Sequence, residues 1–223
     1  MSSLPAPVAI SDYPTPYPLQ PRGSALARWL MRCWGWRIVF DGLPARQGVF
    51  AVYPHTSNWD FPVGILTKWA LGLQLRFWGK DALFKYPLVG RWMRAVGGVP
   101  VQRTSARGVV GSTVAAFNQA RRDGAMFWLA VAPEGTRKYI PGWRTGFYQV
   151  AVQADLPVCL VRFDWRLRQV RAVDFIRLTG DQAADFARMA TILAGVQGHT
   201  PALASPVAPL DASVPRTEMV VKK

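Results

Sequence analysis

The sequence predicts an α/β fold with a mainly parallel or mixed central sheet, helices on both faces and a short N-terminal amphipathic helix. Strand-like runs alternate with segments of helical periodicity across the middle of the chain, which is typical of βαβ units. Residues 125–132 are uninterruptedly apolar, as expected of a strand buried on both faces. Ligand sites in such sheets lie outside the carboxyl ends of the strands, so we expect functional residues in the segments that follow them.

The first element is a helix over residues 25–34, which Ser24 is placed to cap. Its apolar face is flanked by Arg28 and Arg32, so it either covers one face of the domain or anchors the chain at a membrane interface. Two strands follow over residues 36–40 and 49–53, separated by turn residues from Asp41 to Pro44.

The remaining elements follow from periodicity and from glycine turns. The predicted helices cover residues 58–71, 87–96, 108–122, 143–153 and a last segment from an Asp181 cap to about residue 196. The predicted strands cover residues 74–78, 99–101, 125–132, 158–163 and 170–176.

One domain is expected, because 223 residues with 50% hydrophobic side chains suffice for one sizeable core. Residues 1–22 hold six prolines and no periodicity, which predicts an extended or disordered arm. The domain itself covers residues 23–196. Residues 197–223 are rich in Pro and Ala, and we expect them to form a flexible tail.

The chain is strongly basic, with 27 Lys and Arg against 13 Asp and Glu and a formal charge of +14. Such a charge attracts anionic lipid surfaces, phosphorylated substrates, acidic carrier proteins or nucleic acid. Ten tryptophans beside the arginines favour a membrane interface, where both side chains are well accommodated. Core tryptophans with solvated arginines remain the alternative.

Cys33 and Cys159 lack any CxxC spacing, so neither a zinc site nor a disulfide framework is indicated, and a reducing compartment fits. The N-terminus has no apolar segment typical of a signal peptide. No uncharged apolar run approaches the ~18 residues that a membrane span needs. We therefore expect a cytoplasmic protein that, if it meets a membrane, lies on its inner face.

His55 and Asp60 stand in the turn between a predicted strand and a predicted helix. A neutral imidazole can take a proton near pH 7, and a nearby carboxylate can fix its tautomer and stabilise the imidazolium that forms. The alternative is a structural hydrogen bond or a helix cap. The pair alone does not decide between them.

Two further clusters follow predicted strands. Glu134 ends the apolar run and needs partners there, for which Arg137 and nearby backbone N–H groups are candidates. Gly135 permits close backbone approach, and Arg offers a planar fork for phosphate, so this turn is either an anion site or a buried ion pair. Arg103, after a similar glycine turn and short strand, is the second candidate phosphate ligand or a solvated cation.

In order and spacing these blocks resemble the signatures of the glycerolipid and lysophospholipid acyltransferases, and the chain looks 1-acylglycerol-3-phosphate acyltransferase-like. His55 and Asp60 match the first signature, His-x-x-x-x-Asp (HX4D), and residues 134–137 match the third, Glu-Gly-Thr-Arg. Residues 55–61 look like the branch that carries His-Thr-Ser-Asn-Trp-Asp-Phe.

Two other signatures match with departures. Residues 98–103 are similar to the second, with Gln102 where an acid is common before the arginine. Residues 156–158 are similar to the fourth, but Cys159 and Leu160 follow where a second proline is often found. These departures bear on the acceptor more than on the reaction.

The resemblance implies transfer of a fatty acyl group from acyl-CoA or acyl-ACP to a hydroxyl of a glycerolipid or lysophospholipid acceptor, with no cofactor and no metal. It implies that His55 is the general base and Asp60 its orienting carboxylate, and that Pro157 and Val158 border the acyl pocket. The implied substrate-binding residues are Arg103, Glu134, Gly135, Thr136 and Arg137.

The implied partners are an anionic membrane surface and, for an acyl-ACP donor, acyl carrier protein. Neither cysteine has an adjacent base and no Gly-x-Ser-x-Gly elbow is present, so a covalent nucleophile is not indicated. Two alternatives remain: a thioester hydrolase in which His55 activates water, and a non-enzymatic basic module that binds membrane or nucleic acid. The second is disfavoured, because no recognised nucleic-acid motif is present.

Overall fold

The computed structural model describes residues 10–101 and 106–210. Its strands are β1 (Arg37–Val39), β2 (Gln47–Tyr53), β3 (Leu75–Lys80), β4 (Gly98–Val101), β5 (Phe127–Val131), β6 (Val158–Asp164), β7 (Gln169–Arg171) and β8 (Phe175–Ile176). Its α-helices are α1 (Ala25–Cys33), α2 (Asp60–Leu71), α3 (Asp81–Phe84), α4 (Pro87–Ala95), α5 (Ala106–Arg122), α6 (Gly146–Gln153) and α7 (Gln182–Ile192).

The strands form one mixed sheet in the order β1-β7-β6-β2-β5-β3-β4, and β8 pairs with β6 beside this path. β6 is antiparallel to β7 and to β8, whereas the other neighbours are parallel. β2 lies between β5 and β6, so its carboxyl end opens near the middle of the sheet. The predicted α/β class with a mixed, mainly parallel sheet is confirmed.

Alternating side chains of β2 face two separate hydrophobic cores. Val49 and Ala51 pack with residues of α5, α6 and α7. Phe50, between them, packs on the other face with residues of α1, α2 and the N-terminal segment. The predicted helices on both faces of the sheet are therefore present, and both cores meet at the strand that leads into His55.

Two strand arrangements in the structure were not predicted from the sequence. β1 lies at one edge of the sheet, where it pairs with β7, and is separated from β2 by two strands. The predicted strand over residues 170–176 is broken into β7 and β8. Asp174 explains the break: it is fully buried between them and accepts a hydrogen bond from Ile10 N, and its carboxylate lies 3.1 Å from Arg162 Nε.

The described parts of both terminal segments pack against the domain. In the predicted N-terminal arm, Tyr17 is buried, and Asp12 N donates to Phe175 O at 2.9 Å. In the predicted C-terminal tail, Pro209 forms a bridge with Trp143. Sequences without periodicity can pack in this way because extended backbone pairs with strands and loops without any helical or strand repeat. Residues 1–9 and 211–223 lie outside the described part.

Candidate active site

The strand-to-helix turn between β2 and α2 brings His55 and Asp60 together. His55 follows the carboxyl end of β2, and Asp60 is the first residue of α2. His55 Nδ1 lies 3.1 Å from Asp60 Oδ2, with 20% of the imidazole and 3% of the carboxyl group exposed. The two predicted residues therefore meet within one turn, and the imidazole remains accessible.

Two further donors hold the Asp60 carboxylate. Ser57 N donates to Oδ2 at 2.9 Å, and the indole Nε1 of Trp165 donates to Oδ1 at 2.7 Å. The Asp60 carboxylate can only accept hydrogen bonds, so it favours the His55 tautomer that carries its proton on Nδ1. That N–H group then donates to Asp60 beside the Ser57 and Trp165 donors. The lone pair of the imidazole then lies on Nε2, the nitrogen available to take up a proton.

The buried side chain of Glu134 anchors the loop between β2 and α2, which contains His55. Its side chain is fully buried, Oε2 accepts from His55 N at 2.5 Å and Oε1 accepts from Ser205 N at 2.9 Å. Burial raises the pKa of this carboxyl above its usual range, against the two N–H groups that lower it. Backbone N–H groups, one of the two kinds of partner expected, thus hold Glu134 and connect it to the loop. Its predicted part in substrate binding stays a prediction.

The Gly135–Arg137 turn lies beside the same loop. Arg137 Nε donates to Ser57 O at 3.1 Å, which ties the turn to the segment between His55 and Asp60. Gly135 has φ +64, and a Cβ there would come within 2.7 Å of Arg144 Nε. Glycine is therefore required for both the backbone conformation and the close approach of Arg144.

A cavity of about 880 Å³ extends from His55 and Asp60 between α2 and the sheet. Much of its wall is apolar and comes from β2, β3, β5, β6 and α2: Phe50, Val52, Ile65, Leu71, Leu75, Phe77, Ala130, Val161 and Phe163. Gly135, Thr136 and Arg137, three of the predicted substrate-binding residues, line it near the His55 loop. The His55 imidazole, which can accept a proton, and the Arg137 guanidinium therefore lie on the wall of a largely apolar cavity.

Arg144 also lines the cavity, although the sequence did not indicate it as a site residue. It stands in Trp143-Arg144-Thr145, a stretch predicted to belong to a helix beginning at residue 143. The helix α6 begins only at Gly146, so Arg144 belongs to the loop before it. The close contact between Arg144 and Gly135 joins this loop to the Glu-Gly-Thr-Arg turn. No motif or spacing in the sequence predicts that contact.

Pro157 and Val158 lie away from this cavity. Val158 pairs with Val49 near the amino end of β2, roughly 20 Å along the strand from His55. Val161 and Phe163, further along the same strand β6, line the cavity instead. The role of Pro157 and Val158 at the border of an acyl pocket stays a prediction. Arg103 lies outside the described residues.

Neither a cluster of metal ligands nor a membrane-spanning helix is found in the described ranges. Within residues 10–101 and 106–210, no three His, Cys, Asp or Glu side chains gather as metal ligands. None of the helices in these ranges is both long enough and apolar enough to cross a membrane.

Comparison with known proteins identifies the family of this chain. No curated protein matches the sequence. Among solved structures, the chain is similar to the 1-acyl-sn-glycerophosphate (LPA) acyltransferase PlsC from Thermotoga maritima, with 16% identity and a TM-score of 0.48 over 75% of this chain and 73% of that one. The family model described as Acyltransferase matches residues 37–163, more than half of the chain. The chain belongs to the acyltransferase family.

Proposed function

We propose that this acyltransferase moves a fatty acyl group from acyl-CoA or acyl-ACP to a hydroxyl of a glycerolipid or lysophospholipid acceptor. The observation that carries the proposal is the His55–Asp60 pair, 3.1 Å apart, on the wall of a largely apolar cavity of about 880 Å³. That volume lies within the range of ~300–1,000 Å³ that is usual for small-molecule sites.

In the proposed reaction, His55 Nε2 takes the proton of the acceptor hydroxyl as its oxygen attacks the thioester carbonyl. The C–S bond then breaks, an ester forms, and the departing thiolate takes the proton from the imidazolium. Asp60 stabilises the imidazolium between these steps. The transfer is direct, since Cys159 is buried with a raised pKa and Cys33 is exposed on α1, so neither serves as a nucleophile beside His55.

The apolar part of the cavity accommodates the acyl chain, and the cations at its wall accommodate an anionic acceptor. Arg137 and Arg144 both line the cavity. A guanidinium offers five N–H donors in a planar fork, which suits the phosphate of a lysophospholipid. The bond from Arg137 Nε to Ser57 O holds this cation against the catalytic loop, so acceptor binding and His55 geometry are linked.

The acceptor pool is a membrane, to which the protein attaches peripherally on the cytoplasmic side. Support comes from a docking face made of the exposed apolar side chains of α1, Trp59 and α4: Leu26, Trp29 and Leu30, then Trp59, then Tyr86, Leu88, Val89 and Trp92. Ring contacts connect its parts, with Trp34 on Trp59 and Phe61 on Trp92. Trp59 stands next to Asp60, so this face borders the site.

The test is an acyl-transfer assay with acyl-CoA or acyl-ACP, with and without a lysophospholipid. Transfer of acyl to lipid is expected, and His55→Ala should lower it by about 100- to 10,000-fold, the usual contribution of general acid–base catalysis. Gln153→Ala is the control, because Gln153 is exposed at the end of α6 and truncation there removes a polar side chain away from His55.

The outcome separates the alternatives. Free fatty acid formed equally with and without acceptor would make the protein a thioester hydrolase, a reaction to which the 20% exposure of His55 gives water access. Lipid and anion binding without turnover, unchanged in His55→Ala, would make it a non-enzymatic basic module. Near-full transfer by His55→Ala would remove the assignment of the base.

A further inference from the structure

Trp165 reaches the catalytic loop from the turn between β6 and β7. Asp164 ends β6 and accepts a hydrogen bond from Leu167 N at 2.9 Å, which fixes the turn. The Trp165 ring packs edge-on against Trp36 with centroids 4.9 Å apart, and its Nε1 donates to Asp60 Oδ1 at 2.7 Å. The turn and the ring packing thus aim one indole N–H at the carboxylate that holds His55.

Residues 197–205, which we call the C-terminal clamp, make one hydrogen bond to the same loop and two to residues that are hydrogen-bonded to the site, Trp165 and Glu134. Trp165 N donates to Gln197 O at 2.8 Å. Thr200 N donates to Thr56 Oγ1 at 3.1 Å. Ser205 N donates to Glu134 Oε1, and Glu134 Oε2 accepts from His55 N. The clamp therefore acts on the neighbours of Asp60, on Thr56 and on the backbone of His55.

Gly198 shows how closely the clamp is fitted to the loop. A Cβ at this position would lie 2.5 Å from Thr56 Oγ1 and 3.0 Å from Thr56 Cγ2. Any larger residue would have to push the clamp or the loop aside. Beside it, the His199 ring packs edge-on against Trp165 with centroids 4.6 Å apart.

The structure assigns Trp165 and the C-terminal clamp as positioning residues for the His55–Asp60 pair. Both lie outside residues 37–163, the part that matches the family. The inference rests on the proposed role of His55 as the base. It adds that the geometry of the pair is set by the β6–β7 turn, through the hydrogen bond from Trp165 to Asp60 Oδ1, and by the segment after α7, through hydrogen bonds to Glu134 Oε1 and Thr56 Oγ1.

Trp165→Phe tests the first contact, because it keeps an aromatic ring and removes the N–H. A misplacement of about 1 Å in a catalytic group costs up to about 100-fold, so we expect kcat to fall by roughly 10- to 100-fold while KM for the acyl donor stays within about twofold. Trp128→Phe is the matched control: its indole N–H donates to Ala45 O, at the opposite end of the sheet from His55. Its kcat per folded molecule should match the wild type.

Gly198→Ala tests the clamp without touching Trp165. The added methyl group meets Thr56, so kcat should again fall about tenfold or more with KM little changed. Gly111→Ala is its control, because a Cβ at Gly111 of α5 meets nothing within 4 Å. Circular dichroism and thermal unfolding establish that each variant is folded.

A second measurement does not depend on turnover. The chain has two histidines, so the imidazole signals of His55 can be assigned in an NMR spectrum with the His199→Gln variant. Trp165→Phe and Gly198→Ala should shift the His55 signals, whereas Trp128→Phe and Gly111→Ala should leave them in place.

The results separate this inference from the proposed function. Wild-type kcat, or unmoved His55 signals, in either test variant overturns the positioning role, and so does a rise in KM at constant kcat. An inactive His55→Ala beside a fully active Trp165→Phe would overturn the positioning role alone. A fully active His55→Ala would overturn the proposed base, while the NMR shifts would still report whether Trp165 and the clamp hold His55.

Discussion

Asp60 is the residue on which two segments of the chain converge, the loop before α2 and the turn between β6 and β7. Its carboxylate lies against His55 Nδ1 and accepts from Ser57 N and from Trp165 Nε1, yet only 3% of it is exposed. Each donor occupies a defined oxygen, so the carboxylate has little freedom to turn. A buried acceptor surrounded by donors is sensitive to any change that adds an N–H group of its own.

Asp60→Asn should lower kcat by about 100- to 10,000-fold, as expected when general-base catalysis is lost. One oxygen of the carboxylate becomes an NH₂ group, which must face His55 Nδ1, Ser57 N or Trp165 Nε1. Steady-state acyl transfer measures the effect. The exposed Asp41 provides the control, and Asp41→Asn should be fully active. A loss smaller than tenfold for Asp60→Asn would exclude the orienting role.

Glu134 should make the stability of the protein depend on pH in an unusual direction. Burial raises its pKa from the ordinary value of 4.5, so the folded chain holds this proton to higher pH than the unfolded chain. The contribution of this proton to the free energy of unfolding is fully present below pH 4.5. It is lost as the pH rises through the raised pKa of Glu134 in the folded chain. In urea unfolding, the free energy of the wild type minus that of Glu134→Gln should therefore shrink over this window.

Asp12 provides a control of opposite sign. The Arg188 guanidinium holds the pKa of this carboxyl below its ordinary value of 3.8. Its contribution is present above that value and is lost as the pH falls through the lowered one. The wild type minus Asp12→Asn difference should thus shrink towards acid. A Glu134→Gln difference that follows the Asp12 direction, or shows no dependence on pH, would contradict the burial argument.

Among the elements, α1 and α4 place apolar side chains outward where water would be expected. Leu88 is 80% exposed and Trp29 53% exposed. Each helix also carries arginines, Arg32 on α1 and Arg91 on α4. Helices with an apolar face and cationic flanks are typical of segments that lie in a membrane interface.

Replacing Trp29 or Leu88 by Ser should weaken binding to anionic vesicles by roughly 10- to 100-fold each, since burial of one large apolar side chain stabilises by about 1.5–3 kcal/mol. Vesicle co-sedimentation measures the bound fraction. Val152→Ser is the control, because Val152 is an exposed apolar residue of α6, which packs on the opposite face of the sheet. Equal loss of binding in the Val152 variant would argue against a defined docking face.

Most helices and strands were predictable because their signals are local. Ser24 and Asp181 cap α1 and α7 as expected, since an N-cap depends on one side chain and the next turn. Strand neighbours are not local. The edge position of β1 and the break at Asp174 depend on pairing with segments far along the chain. The packing of residues 197–210 has the same origin.

Across the whole molecule, the contact between His55 and Asp60 was predictable from the sequence because the two residues lie within one turn. Glu134 was also found, and backbone N–H groups were among its expected partners, but no pattern shows that they come from His55 and Ser205, because every residue except proline carries such a group. Trp165 and Arg144 reach the site from loops whose sequence has no motif. A side chain that reaches the site from a distant part of the chain through a single hydrogen bond produces no recognisable spacing in the sequence.

The charge of +14 acts over the whole molecule, and it adds to the apolar docking face. Charged groups near an anionic bilayer each contribute about 1 kcal/mol, and the interaction is screened within about 10 Å at 0.1 M salt. Apolar contacts do not weaken with salt in this way. Salt therefore separates the two contributions to membrane binding.

Binding to vesicles with anionic lipid should fall steeply as the salt concentration rises, whereas weaker binding to uncharged vesicles should not. Arg91→Gln should lower the affinity for anionic vesicles about fivefold, because Arg91 is exposed on α4 beside the apolar side chains of the docking face. Arg122→Gln is the matched change, since Arg122 is exposed at the end of α5. Equal losses in both variants would mean that the net charge alone holds the protein at the membrane, without a preferred face.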